Sequence, residues 1–167
     1  MKIRSATPDD VSLIFSFIQR KAEFDRSVGA FSSVLQVSEE KIRKTLFRAV
    51  PFAYVLFAEH SEREIGFALY DFRYSSFAGQ PSIWLDDLYV DEAQRSQGAG
   101  AALMQHLAEI AAENNCTHLA WNADARNTRG LNFYHRLGAE ITEQRGNRYF
   151  LRWVPQSTAS DLSTSNA

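Results

Sequence analysis

The chain has 167 residues, a formal net charge of −2 and a hydrophobic content of 45%. That length suits one domain with a real core, and the charge argues against a nucleic-acid partner. A single cysteine, Cys116, excludes an internal disulfide or a cysteine-rich zinc site, and no apolar run is long enough to span a membrane. The four histidines, His60, His106, His118 and His135, show no ligand spacing, so no metal is expected. Met1-Lys2-Ile3-Arg4 leads into polar residues rather than an apolar signal core, so a cytoplasmic location is expected.

Residues 2–6 read as a short strand. Thr7, Pro8 and Asp10 make a helix start, with a capping hydroxyl, a proline in the first turn and an acid three residues on. Val11, Ile14, Phe15 and Ile18 then form the apolar face of a helix running to about residue 25. Residues 26–37, with Gly29 and several serines, read as a loop. Ser38 followed by Glu39 and Glu40 starts a second helix that Pro51 ends, with Ile42 and Leu46 inward. Residues 52–59 and 65–74 are strands joined by a polar turn over 60–64, a predicted hairpin. A second turn over 75–81 leads to a strand over 83–90. Helices are predicted over 98–114 and 127–137, the latter closed by Gly138, with a strand over 117–121 between them. Residues 141–142 and 149–153 read as a closing strand pair. Strands and helices alternate only in the second half, which predicts a mixed α/β sheet rather than a doubly wound one. One domain is expected over 1–154, and the polar composition of 155–167 predicts a disordered tail.

The stretch Arg95-Ser96-Gln97-Gly98-Ala99-Gly100 lies between the strand over 83–90 and a helix whose face carries Leu103, Leu107 and Ile110. Strand, basic residue, glycine loop and helix N-terminus together present unpaired backbone N–H groups to a phosphate. Arg95 adds a planar charged fork suited to phosphate oxygens. No Gly-Lys-Ser/Thr follows, so this is not a Walker loop. Leu103 stands where a dinucleotide fingerprint would need its third glycine.

With both its motifs, the chain resembles the GNAT superfamily of N-acetyltransferases. The resemblance covers about residues 3–153. It rests on the R-x-x-G-x-G loop after Leu85-Asp86-Asp87-Leu88-Tyr89-Val90, on Asn127-Thr128-Arg129-Gly130-Leu131-Asn132-Phe133-Tyr134 with Arg136-Leu137-Gly138-Ala139 behind it, and on the order of elements. Lys21-Ala22-Glu23-Phe24-Asp25 and Gly66-Phe67-Ala68-Leu69-Tyr70-Asp71-Phe72 are similar to the spermidine/spermine branch, whose relatives also acetylate thialysine and other diamines. In the polyamine enzymes a Glu commonly stands at the position of Asp86. The implied fold is a mixed, mostly antiparallel central sheet flanked by about four helices.

The resemblance implies an acetyl-CoA-dependent transfer to a small primary amine, such as a diamine, polyamine or lysine-like molecule. Acetyl-CoA would be held by the backbone of Leu88, Tyr89 and Val90, by Arg95, Ser96, Gln97, Gly98, Ala99, Gly100 and Ala101, and by Asn127. The Leu88 amide would face the thioester oxygen as an oxyanion donor. Tyr134 would be the general acid, since a phenol with a pKa near ~10 is protonated at neutral pH. Asp86 is the favoured carboxylate for handling the amine proton, with Glu23, Phe24 and Asp87 framing the acceptor. Asp86-Asp87 can also read as a bulge or a strand-end pair; alternation along a strand predicts that the two point to opposite faces and that only one reaches the cleft. The branch implies a homodimer. A protein lysine or N-terminal acceptor and a non-catalytic acyl-CoA-binding module remain alternatives.

Overall fold

The structure, a computed structural model, describes residues 1–155. The expected tail therefore lies almost wholly outside the described residues. Seven strands form one sheet: β1 (Lys2–Ser5), β2 (Tyr54–His60), β3 (Arg63–Ser75), β4 (Gln80–Val90), β5 (Leu119–Asp124), β6 (Glu140–Arg145) and β7 (Arg148–Trp153). Their order is β1-β2-β3-β4-β5-β7-β6, and every pair is antiparallel except β4–β5. Four α-helices accompany it: α1 (Val11–Ser27), α2 (Glu39–Leu46), α3 (Ala99–Glu113) and α4 (Thr128–Arg136).

The period of two in β2 divides the core between two layers. Val55 and Phe57 pack with Val11, Ile14, Phe17 and Ile42 of α1 and α2. Leu56 and Ala58 pack on the other face, with Leu103, Met104, Leu107 and Ala111 of α3. The Phe17 and Phe67 rings stack at 5.2 Å. Gly66 permits the close approach of β3 to β4, because a Cβ there would sit 2.9 Å from the Tyr89 carbonyl oxygen.

Polar anchors fix α1 over the sheet. The Thr7 N–H donates to Asp10 at 2.7 Å, as the helix-start signal predicts. Arg4 donates to Asp10 at 2.8 and 2.9 Å and to Glu64 at 2.5 Å. That guanidinium holds the Asp10 carboxyl down at about 2. Arg20 forks onto Asp91 at 2.6 and 2.7 Å, tying α1 to the end of β4.

Two boundaries differ from the sequence expectation in ways that matter for the site. The strand expected over 117–121 begins at Leu119 and runs on to Asp124, while the Thr117 N–H is taken by the Pro81 carbonyl at 2.9 Å. The parallel pairing of β4 with β5 is confined to Ile83↔Leu119 and Trp84↔Ala120. Beyond those two pairs the strands separate. The later residues of β4 and β5 keep partners only on their outer sides, in β3 and β7.

Candidate active site

A cavity of about 620 Å³ opens where β4 and β5 part. Its walls are the last turns of α1, β4 from Leu85 to Val90, β5 from Trp121 to Asp124, the glycine loop with the start of α3, and α4.

At the loop end, Gly98 is the N-cap of α3 at φ +88, with no side-chain cap. A helix leaves its first amides without intrahelical partners, so the N–H groups of Ala99, Gly100 and Ala101 are available to a ligand. All three residues line the cavity, with Arg95, Ser96 and Gly98; Gln97 does not. Arg95 is partly engaged by its own fold. Its Nε donates to the Val90 carbonyl at 2.9 Å, and its guanidinium lies over the Phe24 ring at 4.6 Å. Among the described residues its terminal amino groups have no hydrogen-bond acceptor. Arg129 donates to the Ser96 hydroxyl at 3.2 Å, which adds a second cation to this end. Asn127 caps α4 by accepting from the Gly130 N–H at 2.9 Å. A Cβ on Gly130 would lie 2.7 Å from the Asn127 side chain, so the cap requires glycine there.

In the middle of the cavity, Leu88, Tyr89 and Val90 face the gap between the strands. Trp121, only 1% exposed, also lines it, and its indole N–H has no hydrogen-bond partner among the described residues. The Tyr134 ring packs on Trp121 with centroids 4.8 Å apart.

The far end carries Lys21, Phe24 and Asp25 from α1, Asp86 and Asp87 from β4, and Tyr134 from α4. Lys21 donates to Asp25 at 2.5 Å and lies 3.5 Å from Asp87. Burial holds the Tyr134 phenol well above its usual pKa, and the negative charges of Asp87 and Asp25 reinforce it. Burial likewise pushes the Asp87 carboxyl up. Lys21 opposes that shift, while Asp86 and Asp25 add to it.

The expected division of Asp86 and Asp87 between opposite faces does not hold, and both line the cavity. The register explains this: Leu69 pairs with Asp87 and Tyr70 with Leu85, leaving Asp86 as the extra residue of a β-bulge. A bulge breaks strict alternation and re-aims the side chains around it. Asp86 is exposed, whereas Asp87 is partly buried beside Lys21. Glu23 does not join the cleft; it is exposed and lies outside the cavity. On a helix, residue 23 turns away from the face shared by residues 21, 24 and 25.

Lys21, Asp25, Trp121, Arg129, Arg136 and Arg148 line the site without having been singled out from the sequence. Two signals for Lys21 and Asp25 stand in the sequence: their place in the branch-like Lys21-Ala22-Glu23-Phe24-Asp25 segment and their spacing, four apart around Phe24. Among the described residues no group of His, Cys, Asp and Glu could hold a metal ion, and no helix is long and apolar enough to cross a membrane.

Comparison with known proteins agrees with this architecture. The acetyltransferase (GNAT) family model matches residues 22–139. Thialysine N-epsilon-acetyltransferase of Bos taurus is 32% identical over 153 residues, covering 86% of this chain and 87% of the relative. Spermidine/spermine N(1)-acetyltransferase-like protein 1 of Homo sapiens is 26% identical, over 87% of this chain and 21% of that much longer protein. An integron cassette protein from V. cholerae superposes with a TM-score of 0.67 at 26% identity, over 86% of this chain and 88% of the other. The split sheet, the uncapped helix at the glycine loop and the matched sequence agree, and the chain belongs to the acetyltransferase (GNAT) family.

Proposed function

We propose that this acetyltransferase moves an acetyl group from acetyl-CoA to a primary amine of a small molecule. One observation carries the reading. A single cavity joins an uncapped helix N-terminus, a strand gap with unpaired backbone, and a half-buried phenol beside two carboxylates.

The residues present fit acetyl-CoA. Its phosphates suit the amides of Ala99, Gly100 and Ala101, with Arg95 and Arg129 as counter-charges. Its extended amide-bearing arm suits the opening between β4 and β5, where Leu88, Tyr89 and Val90 line one wall. The unpartnered indole N–H of Trp121 is a buried donor in need of an acceptor. When bound, acetyl-CoA supplies an activated thioester. Tyr134 keeps its phenolic proton at neutral pH, because burial and nearby carboxylates raise its pKa, and it is positioned to give that proton up as a general acid. Asp87 and Asp86 bind the acceptor as a cation and take up its proton, directly or through water. The reading includes a homodimer, for which the exposed rings of Tyr74 and Phe77 on the β3–β4 hairpin offer apolar surface.

The deciding experiment measures acetyl-CoA-dependent thiol release with spermidine, putrescine, lysine, thialysine and a lysine peptide. Turnover on a free amine that collapses in Tyr134→Phe supports the reading. Turnover on the peptide alone moves the acceptor class to proteins. Binding of CoA with no turnover on any of them makes the chain a binding module.

A further inference from the structure

We infer that Trp121 sets the length of acyl chain this enzyme transfers, its indole closing the inner end of the donor channel so that acetyl is admitted and longer chains are not. This rests on the proposed function, since it concerns the end of the same cavity that an acyl group would reach. Strand register fixes where that end lies. The parallel ladder of β4 and β5 stops at Trp84 and Ala120, so Leu85 and Trp121 are the first residues beyond it. Both line the cavity, whereas Ile83 and Leu119, inside the ladder, do not. The opening between the strands is therefore a fork that closes at Leu85 and Trp121. Val90 and the first residues of α3 stand toward its open end, and the way inward passes Leu88 and Ala123. Ala123 and Trp121, two apart on β5, point to the same face and into the core layer under α3. Within those two residues the wall changes from an alanine to the largest fully buried side chain of the described residues.

The indole is held where it is, and packing alone does not account for it. The Tyr134 ring lies on it at 4.8 Å, and Phe133 in turn meets Tyr134 at 5.3 Å. Ile83 and Leu119, in the same core cluster, are fully buried, so the floor has nowhere to retreat. The indole N–H has no hydrogen-bond partner among the described residues. An orphaned buried donor is a cost that a phenyl ring would not carry, so filling apolar space does not by itself call for an indole here. An acyl chain that enters past Leu88 ends against this ring. Each methylene beyond acetyl must then displace a side chain packed into the core, which close-packed interiors resist. The carboxylates Asp86 and Asp87 take no part in this limit, so acyl length and amine choice are set by different residues of one cavity.

The test titrates CoA, acetyl-CoA, propionyl-CoA and butyryl-CoA into the intact protein, Trp121→Phe and Trp121→Leu, and measures kcat/KM for the three thioesters with the best-accepted amine of the panel above. The intact protein is expected to favour acetyl-CoA over propionyl-CoA by about ten-fold or more in Kd and kcat/KM, and over butyryl-CoA by more. Trp121→Phe, which keeps a ring under Tyr134 and removes the orphaned N–H, is expected to narrow the acetyl-to-propionyl ratio about ten-fold. Trp121→Leu is expected to admit butyryl-CoA as well. The Kd of CoA, which carries no acyl group, should rise no more than about two- to three-fold in either variant. Equal binding and turnover of all three thioesters by the intact protein overturns the inference and leaves the proposed function standing. So do variants that keep the original ratios, including a fall in kcat of equal size for every thioester, which would make the indole a support for Tyr134 alone. If the intact protein binds neither CoA nor any thioester, the inference and the proposed function fall together.

Discussion

The two ends of the cavity are made of different material. The loop end is built from backbone: amides at the start of α3, a glycine at φ +88 and the unpaired edges of β4 and β5. The other end, the proposed acceptor end, is built from side chains: Lys21, Asp25, Asp86, Asp87 and Tyr134, drawn from α1, β4 and α4. A backbone site tolerates changes of side chain as long as the chain path survives. A side-chain site can change its ligand with one substitution while the fold stays as it is. Common recognition of one donor molecule and varied recognition of acceptors are what such a division would produce.

The largest expected effect is at Tyr134, where the two ends meet. Tyr134→Phe removes the proposed proton donor and keeps the ring on Trp121, so kcat for thiol release should fall about 10²- to 10³-fold. CoA affinity measured by titration should stay within about two-fold. A matching loss of CoA binding would mean that the phenol belongs to the donor end instead.

Asp87 gives the next largest effect and separates stability from activity. Its carboxyl titrates above the usual range because it is buried. A raised folded-state pKa adds stability below the ordinary carboxylate value, and that stability is lost as pH rises through the raised value. At neutral pH the partly buried anion is therefore a cost to folding. Asp87→Asn should raise the melting temperature at pH 7, with the gain vanishing in acid, while kcat/KM for the amine falls about ten-fold or more. The acid limb of the intact enzyme's rate profile should lie above the ordinary carboxylate range and be absent from the variant. A variant that is less stable at pH 7 would show that the Lys21 pair outweighs burial.

Gly98→Ala probes the backbone end. A side chain at φ +88 is strained whatever space surrounds it. The substitution should cost about 1–2 kcal/mol in thermal or chemical unfolding, and it should weaken CoA binding by tilting the first amides of α3. The preference among acceptor amines should not move. The smallest effect is expected at Glu23, which is exposed outside the cavity. Glu23→Gln should leave kcat/KM for every amine within about two-fold, and a larger change would place the acceptor beyond the cavity's rim.

Local chemistry was legible in the sequence by itself. Thr7 with Asp10, Ser38 before α2, Asn127 before α4 and the glycine run before α3 each mark a helix start, because a cap lies within a few residues of the amides it serves. The spacing of Leu103 and Leu107 assigns the core face of α3 for the same reason. Family motifs in the order found here also carry the mixed sheet with four helices. What only the tertiary structure decided is how distant segments meet. Strand alternation predicts opposite faces for Asp86 and Asp87, and the acidic pair also admits a bulge; only the register against β3 chooses the bulge and places it at Asp86. Lys21 meets Asp87 only because α1 lies across β4, clamped by Arg20 and Asp91. The gap between β4 and β5 exists because their pairing stops after Trp84 and Ala120, a property of two strands together. Backbone propensity acts over a few residues, whereas the position of a charge in the cleft depends on the packing of whole elements. The donor end could therefore be read along the chain, whereas for the proposed acceptor end the chain named Phe24, Asp86, Asp87 and Tyr134 and only the packing decided how they meet.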